Sequence, residues 1–206
     1  VYRGKQRIEI EEIPTPEPGP GEIVIKVKHC AICGTDVHAF LYDVADPGTV
    51  MGHEYSGTVT AVGSDVTRWK VGDRMIGAGG TPPSTVKIGM RNEPRFNFRT
   101  MGFAVERKRG YAEYVLLPEW EPLPIPDGIS DEEAALAEPL AVAVRAVRRS
   151  AMKVGDFVAV LGAGPIGLMC IQAAKAAGAG RIFVSEPSRT RRQAATDLGA
   201  DEVVDP

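Results

Sequence analysis

With 206 residues, 44% hydrophobic and 25% charged, the chain has a globular composition and room for one large or two small domains. Its 24 basic and 27 acidic residues are interspersed and leave a formal net charge of -3, so no basic face is offered to phosphates and nucleic acid is excluded as a partner. No apolar run approaches the roughly 18 residues of a membrane span, and the opening Val1-Tyr2-Arg3-Gly4-Lys5 has no apolar signal core, which points to a cytoplasmic protein without a membrane anchor.

In chain order, the absence of an initiator methionine suggests trimming, and Pro14 to Gly21 is turn chemistry. Glu22 to Lys28 then places Ile23, Ile25 and Val27 on one face at period two, which predicts a strand. Next come the chemically dense segments, Cys33-Gly34-Thr35-Asp36-Val37-His38 and Gly52-His53-Glu54. A thiolate, an imidazole and a carboxylate are what a catalytic zinc takes as three protein ligands while a fourth position stays open. Cys33 and His53 lead that reading, with burial of Cys33 as the plain alternative. The three cysteines, Cys30, Cys33 and Cys170, form no disulfide framework, and an odd count in a reducing compartment suits metal binding or burial. Further strands are predicted at Ser56 to Val62, Arg74 to Ile76 and Tyr111 to Leu117, with turns at Gly63-Ser64-Asp65 and Val71-Gly72-Asp73. Between them, Gly79 to Gly110 is polar and aperiodic and reads as a lobe or long loop.

The texture changes near residue 130. Ser130 with Glu133 makes a capping box for a short helix that Pro139 interrupts, leaving Glu138 at a helix break. A linking helix follows, with Leu140, Val144 and Val147 on its apolar side and Arg145, Arg148 and Arg149 toward solvent. Phe157 to Leu161 is a continuous apolar strand, followed by Gly162-Ala163-Gly164-Pro165-Ile166-Gly167 and a helix with Ile166, Met169, Cys170, Ala173, Ala174 and Ala177 on its apolar face. Arg181 to Ser185 is the next strand, Ser188 caps a helix ending before Gly199, and Glu202 to Val204 begins a third strand. This βαβαβ order calls for a parallel sheet, and the open, apolar edge of the Phe157 strand implies a fragment of a larger fold.

The glycine run follows a predicted strand and opens a predicted helix, the context that makes it a dinucleotide signature rather than a plain tight turn. Gly162 permits the turn, Gly164 lets the backbone approach a pyrophosphate, Gly167 allows close packing of helix on strand, and the free amides at the helix start, from Ile166 onward after Pro165, meet the phosphates. Glu186, 19 residues after Gly167, is placed to accept the adenosine ribose hydroxyls and to repel a 2'-phosphate, favouring NAD over NADP. Arg189, Arg191 and Arg192 argue the other way, as holders of that phosphate, unless they form a solvated helix face.

The two dense segments, Gly57 to Val62, Gly72-Asp73-Arg74, Glu138-Pro139-Leu140 and the glycine turn stand in the order of the medium-chain zinc dehydrogenases. The chain resembles especially their sorbitol, threonine and butanediol branch, over nearly its whole length. The resemblance implies an α/β fold with a β-rich N-terminal part: a GroES-like catalytic zinc domain over 1–150, linking helix included, then an incomplete Rossmann NAD-binding domain over 151–206. It also implies that Cys33 and His53 hold the zinc, with Glu54 and Glu138 as acidic positions that bind the metal or its water. Typical alcohol dehydrogenases carry a cysteine where Glu138 stands, which points to the polyol branch. By the same likeness Asp36 fixes the His53 ring, Thr35 takes the substrate's proton, and His38 passes it through the nicotinamide ribose toward solvent. The plain alternatives are a turn residue and an exposed imidazole.

One departure is the lack of any cysteine in Gly79 to Gly110, where many members carry four for a structural zinc. A second zinc is therefore not expected. The implied reaction is reversible oxidation of a secondary alcohol or polyol to a ketone with hydride passing to NAD. Homo-oligomer contact through the Rossmann domain of a full-length chain stays open. The rivals are a catalytically silent nucleotide-binding remnant and a zinc-free NADPH-dependent reductase of the same superfamily.

Overall fold

The computed structural model describes residues 1–77 and 109–206. The chain opens on a short antiparallel hairpin of β1 (Tyr2–Gly4) and β2 (Arg7–Ile8). β3 (Glu22–Ala31) runs three residues beyond its expected end, through His29 and Cys30, and leads into α1 (Gly34–Leu41). β4 (Glu54–Val62), β5 (Arg74–Ile76), β6 (Tyr114–Pro118) and β7 (Leu123–Pro124) complete a five-stranded sheet of order β6-β3-β4-β5-β7, antiparallel throughout. The expected lobe over Gly79 to Gly110 lies, except for its last two residues, outside the described residues.

Alternation explains one face of this sheet. Ile23 and Ile25 are fully buried and pack with Tyr55, Val59, Trp69, Met75, Val115 and Leu117, each such aliphatic side chain contributing about 2 kcal/mol when removed from water. Val24, on the opposite face, is buried as well, so the middle of β3 is covered on both sides and departs from strict period two. A smaller cluster gathers Tyr2, Ala39, Ala45 and Met51, with Phe40 and Tyr111 against it.

The capping box forms as expected on α2 (Asp131–Ala135). Ser130 Oγ accepts Glu133 N–H at 3.1 Å while the Glu133 carboxylate accepts Ser130 N–H at 2.8 Å. Asp131 ties this helix to the sheet, its carbonyl accepting the Ser56 hydroxyl and its carboxylate pairing with Arg74. The helix break falls at Leu136 rather than at Pro139, and α3 (Ala137–Arg149) carries Pro139 in its first turn, where a missing N–H costs no hydrogen bond.

Contacts divide the chain into Val1–Ala137 and Glu138–Pro206, so the linking helix groups with the second unit rather than with the first 150 residues. Val147 of α3 packs on that unit's core, but Leu140 and Val144, expected on the same apolar side, are exposed. The rest of the second unit is β8 (Phe157–Leu161), α4 (Pro165–Ala176), β9 (Arg181–Ser185), α5 (Arg189–Asp197) and β10 (Glu202–Val204). Its three strands are parallel in the order β10-β9-β8, with Leu161 opposite Ser185 and Val204 opposite Ser185 on the other side.

The buried face of α4 overlaps the expected apolar face at Ala174 but is turned toward Ile171. Ile171 and Ala174 are fully buried, while Ile166 and Ala177 are exposed. Cys170 is partly buried and stands outside the unit's core cluster. This helix is apolar nearly all round, so periodicity could not fix its rotation. The contact of Gly167 with the Gly162 carbonyl does, because Gly167, Ile171 and Ala174 share one face. Ser188 stands at the N-cap of α5 without a side-chain bond to the helix. No helix among the described residues is long and apolar enough to cross a membrane.

Candidate functional site

The β3/β4 register sets Ala31 opposite Glu54 and Cys30 opposite Tyr55, so the end of one strand lies beside the start of the other. Two residues beyond β3 the chain turns at Cys33 into α1, and His53 stands immediately before β4. Cys33 Sγ, a His53 ring nitrogen and a Glu54 carboxylate oxygen therefore converge, all within 4.8 Å of one another, as a group able to hold a metal ion. The donor chemistry suits zinc, which takes thiolate, imidazole and carboxylate in tetrahedral sites.

Cys33 is also the N-cap of α1. Its sulfur accepts Thr35 N–H at 3.5 Å, and its own N–H donates to Asp36 Oδ2 at 3.1 Å. A helix N-terminus favours a thiolate. Burial nevertheless pushes the Cys33 thiol up, against the Thr35 hydrogen bonds, and the neighbouring Glu54 carboxylate adds to it. A cation among these donors would therefore compete with a proton for the sulfur.

Asp36 is 3% exposed and serves the same centre from behind. Its Oδ1 lies 3.7 Å from His53 Nδ1 and accepts Gly52 N–H at 3.3 Å. Burial alone would raise the carboxyl, but the hydrogen bond and charge of His53, with the Cys33 N–H and the Tyr111 hydroxyl, hold it below the usual carboxylate range. With Nδ1 turned to Asp36, His53 Nε2 faces Thr35 Oγ1 at 3.3 Å. Gly52 has φ +90°, and a Cβ there would stand 2.6 Å from the Tyr111 ring and 2.9 Å from Cys30 Sγ, so only glycine fits before His53. The Cys30 thiol is pushed up to about 12 by burial and by Asp36 and Glu54, which keeps it neutral. His38 is exposed one helical turn after Thr35, with its ring against Tyr42.

In the second unit the glycine turn leaves β8 at Gly162, which has φ +95°. Gly167 packs so tightly on the Gly162 carbonyl oxygen that a Cβ would collide with it, whereas a Cβ at Gly164 would meet nothing within 4 Å. The N-terminus of α4 is capped by Gly164 with no side-chain bond and carries Pro165 in its first turn, leaving its amides open toward an anion. Glu186 follows the end of β9, buried, and holds the turn directly: Oε2 accepts Ala163 N–H at 2.7 Å and Oε1 accepts Ser188 N–H at 2.8 Å. These two amides keep its pKa below the usual carboxylate range, helped by the charges of Arg191 and Arg192. Arg192 is itself engaged, donating to the carbonyls of Glu186 and Pro187 and pairing with Asp205 at 2.8 Å. Arg191 is exposed on α5.

Residues 19–127 match the family described as the alcohol dehydrogenase GroES-like domain, and residues 165–206 match the zinc-binding dehydrogenase family. The chain belongs to the medium-chain zinc alcohol dehydrogenase family. Among its relatives is the (R,R)-butanediol dehydrogenase of Bacillus subtilis, 41% identical, with 100% of this chain and 62% of that protein covered. Another is the L-threonine 3-dehydrogenase of Rhizobium etli, 39% identical, with 95% of this chain and 58% of that protein covered. The crystal structure of 2R,3R-butanediol dehydrogenase from Bacillus subtilis superposes with a TM-score of 0.86 at 40% identity, covering 100% of this chain and 62% of that one. A zinc-binding dehydrogenase of Sinorhizobium meliloti bound to NADP gives 0.85 at 34% identity, over 98% of this chain and 59% of that one. The chain thus spans 58% to 62% of the length of the two curated relatives.

Within this dehydrogenase framework the expected metal residues Cys33, His53 and Glu54 form the cluster, with Asp36 and Thr35 on the two sides of the His53 ring. Glu138 stands in the first turn of α3, in the second unit, whereas the three clustered donors belong to the first. Two links had no sequence signal: the Tyr111 hydroxyl on Asp36 at 3.0 Å, and the Glu186 carboxylate on the glycine turn itself. Both join segments more than twenty residues apart; the spacing that marks Glu186 assigns it to a ribose and gives no sign that its carboxylate also holds the turn.

Proposed function

We propose that this chain carries the metal-binding and nucleotide-binding parts of a zinc-dependent, NAD-linked dehydrogenase that reversibly oxidises a secondary alcohol or polyol to a ketone. The convergence of Cys33, His53 and Glu54 within 4.8 Å is the observation that carries this reading. Cys33 and His53 would hold the zinc, with Glu54 as third donor in the cluster. When bound, zinc would polarise the alcohol oxygen as a Lewis acid and ease loss of its proton. Thr35, whose hydroxyl neighbours His53 Nε2, is placed to receive that proton, and the exposed His38 one turn later to deliver it to solvent.

The glycine turn with Gly162, Gly164, Pro165, Ile166 and Gly167 would take the pyrophosphate, and Glu186 the adenosine ribose. Its carboxylate already holds two amides, and each oxygen keeps a second lone pair for a hydroxyl. A carboxylate there disfavours a 2'-phosphate, which supports NAD, while the exposed Arg191 and the NADP in the Sinorhizobium meliloti relative favour NADP as the second candidate. L-Threonine and 2,3-butanediol, named for two relatives, are both secondary alcohols with a polar group on the adjacent carbon. The substrate class therefore centres on vicinal amino alcohols and diols. A reducing, cytoplasmic location suits the three free cysteines.

Elemental analysis of the purified chain tests the proposal, followed by an assay of vicinal diols and amino alcohols with NAD and NADP. About one zinc per chain, lost in Cys33→Ser, is the expected result. A well-folded sample that takes up no zinc would overturn it in favour of a zinc-free reductase.

A further inference from the structure

Tyr111 sits at the point where the chain returns to the sheet, and three backbone bonds fasten it to the segment that precedes His53. Arg109 N–H donates to the Val50 carbonyl at 3.2 Å, Gly110 N–H to Gly52 at 2.8 Å and Tyr111 N–H to Met51 at 2.9 Å. Its ring packs on the small cluster that includes Tyr2 and Met51, a seat that a phenylalanine would fill equally well. The hydroxyl is thus not needed for packing. It donates to Asp36 Oδ2 at 3.0 Å, with the Ala31 carbonyl a longer alternative at 3.4 Å.

Asp36 is buried, so the direction of its carboxylate depends on the donors around it. Cys33 N–H and the Tyr111 hydroxyl hold Oδ2, which leaves Oδ1 turned to Gly52 N–H and to His53 Nδ1. We infer that Tyr111 is a positioning residue of the metal centre, orienting the His53 ring for a divalent cation through Asp36. This rests on the zinc site proposed above. A carboxylate behind a metal-bound imidazole fixes both its tautomer and its orientation, and loss of such partners typically weakens metal binding by about 10-fold to 100-fold. Tyr111 stands one bond further out, so the lower end of that range applies.

The test is zinc affinity of the full chain, measured by competition with a chromophoric chelator, for wild type, Tyr111→Phe, Asp36→Asn and the double variant. Tyr111→Phe is expected to bind zinc about tenfold more weakly, with the metal-free chain melting as wild type does. In the Asp36→Asn background the same change is expected to have no further effect, because the hydroxyl acts through that carboxylate. The d–d absorption of the cobalt-loaded chain, expected to change in Tyr111→Phe, gives a second readout that does not depend on Asp36→Asn folding. Unchanged affinity and unchanged cobalt bands in Tyr111→Phe would overturn the role, as would an equal loss with and without the Asp36 carboxylate. Failure of the underlying site is distinguishable: wild type and Cys33→Ser would then bind zinc equally.

Discussion

In the second unit the residues expected to meet a dinucleotide lie on one continuous run, from β8 through the glycine turn and α4 to Glu186 just after β9 and Arg191 on α5. In the first unit the metal donors come from two segments, 33–36 and 52–54, that only the β3/β4 register brings together, with a third segment at Tyr111 supporting them. The contrast separates two ways of holding a site. The nucleotide turn depends on backbone conformation and close approach, whereas the metal centre depends on donor chemistry and on contacts distant in the chain. Damage to one should therefore look different from damage to the other.

Cys33→Ser should sharpen this contrast most. Zinc content is expected to fall from about one per chain to near zero, a loss of at least about a hundredfold in affinity, with dinucleotide binding retained. Parallel titrations with zinc and NAD would check it, and joint loss of both ligands would break the comparison. Gly167→Ala is expected to do the reverse, because its Cβ meets the backbone carbonyl of Gly162 rather than a movable side chain. Chemical denaturation should show the second unit destabilised by about 3 kcal/mol. Zinc content should be unchanged.

Ser130→Ala touches neither site. Loss of the α2 capping box should cost about 1 kcal/mol, visible as a lower melting temperature at unchanged zinc content. The smallest effect is one of pH. Glu186 has its folded pKa lowered by the amides of Ser188 and Ala163, so its contribution to stability is fully present above the unfolded carboxyl value of about 4.3. It is lost as pH falls through the lower folded value. Acid titration of stability should be shallower in Glu186→Gln than in wild type; identical curves would remove this residue from the pH response.

Strand alternation, the Ser130 capping box and the strand, glycine turn, helix, acid sequence were legible from the residues alone, because each is enforced by neighbours within a few positions. Arg74 to Ile76, Arg181 to Ser185 and Glu202 to Val204 form strands over the expected residues. The donors Cys33, His53 and Glu54 were legible as chemistry, but their convergence required the antiparallel register that sets Ala31 opposite Glu54. Elements without a local constraint went otherwise. The face of α4 was undetermined because the helix is apolar nearly all round, and the contact between Gly167 and Gly162 selected it. The helix break moved to Leu136 because a first-turn proline is compatible with the helix that follows. Tyr111 carried no motif at all. Its seat against Asp36 follows from backbone bonds between 109–111 and 50–52, a pairing across some sixty residues that no local pattern encodes.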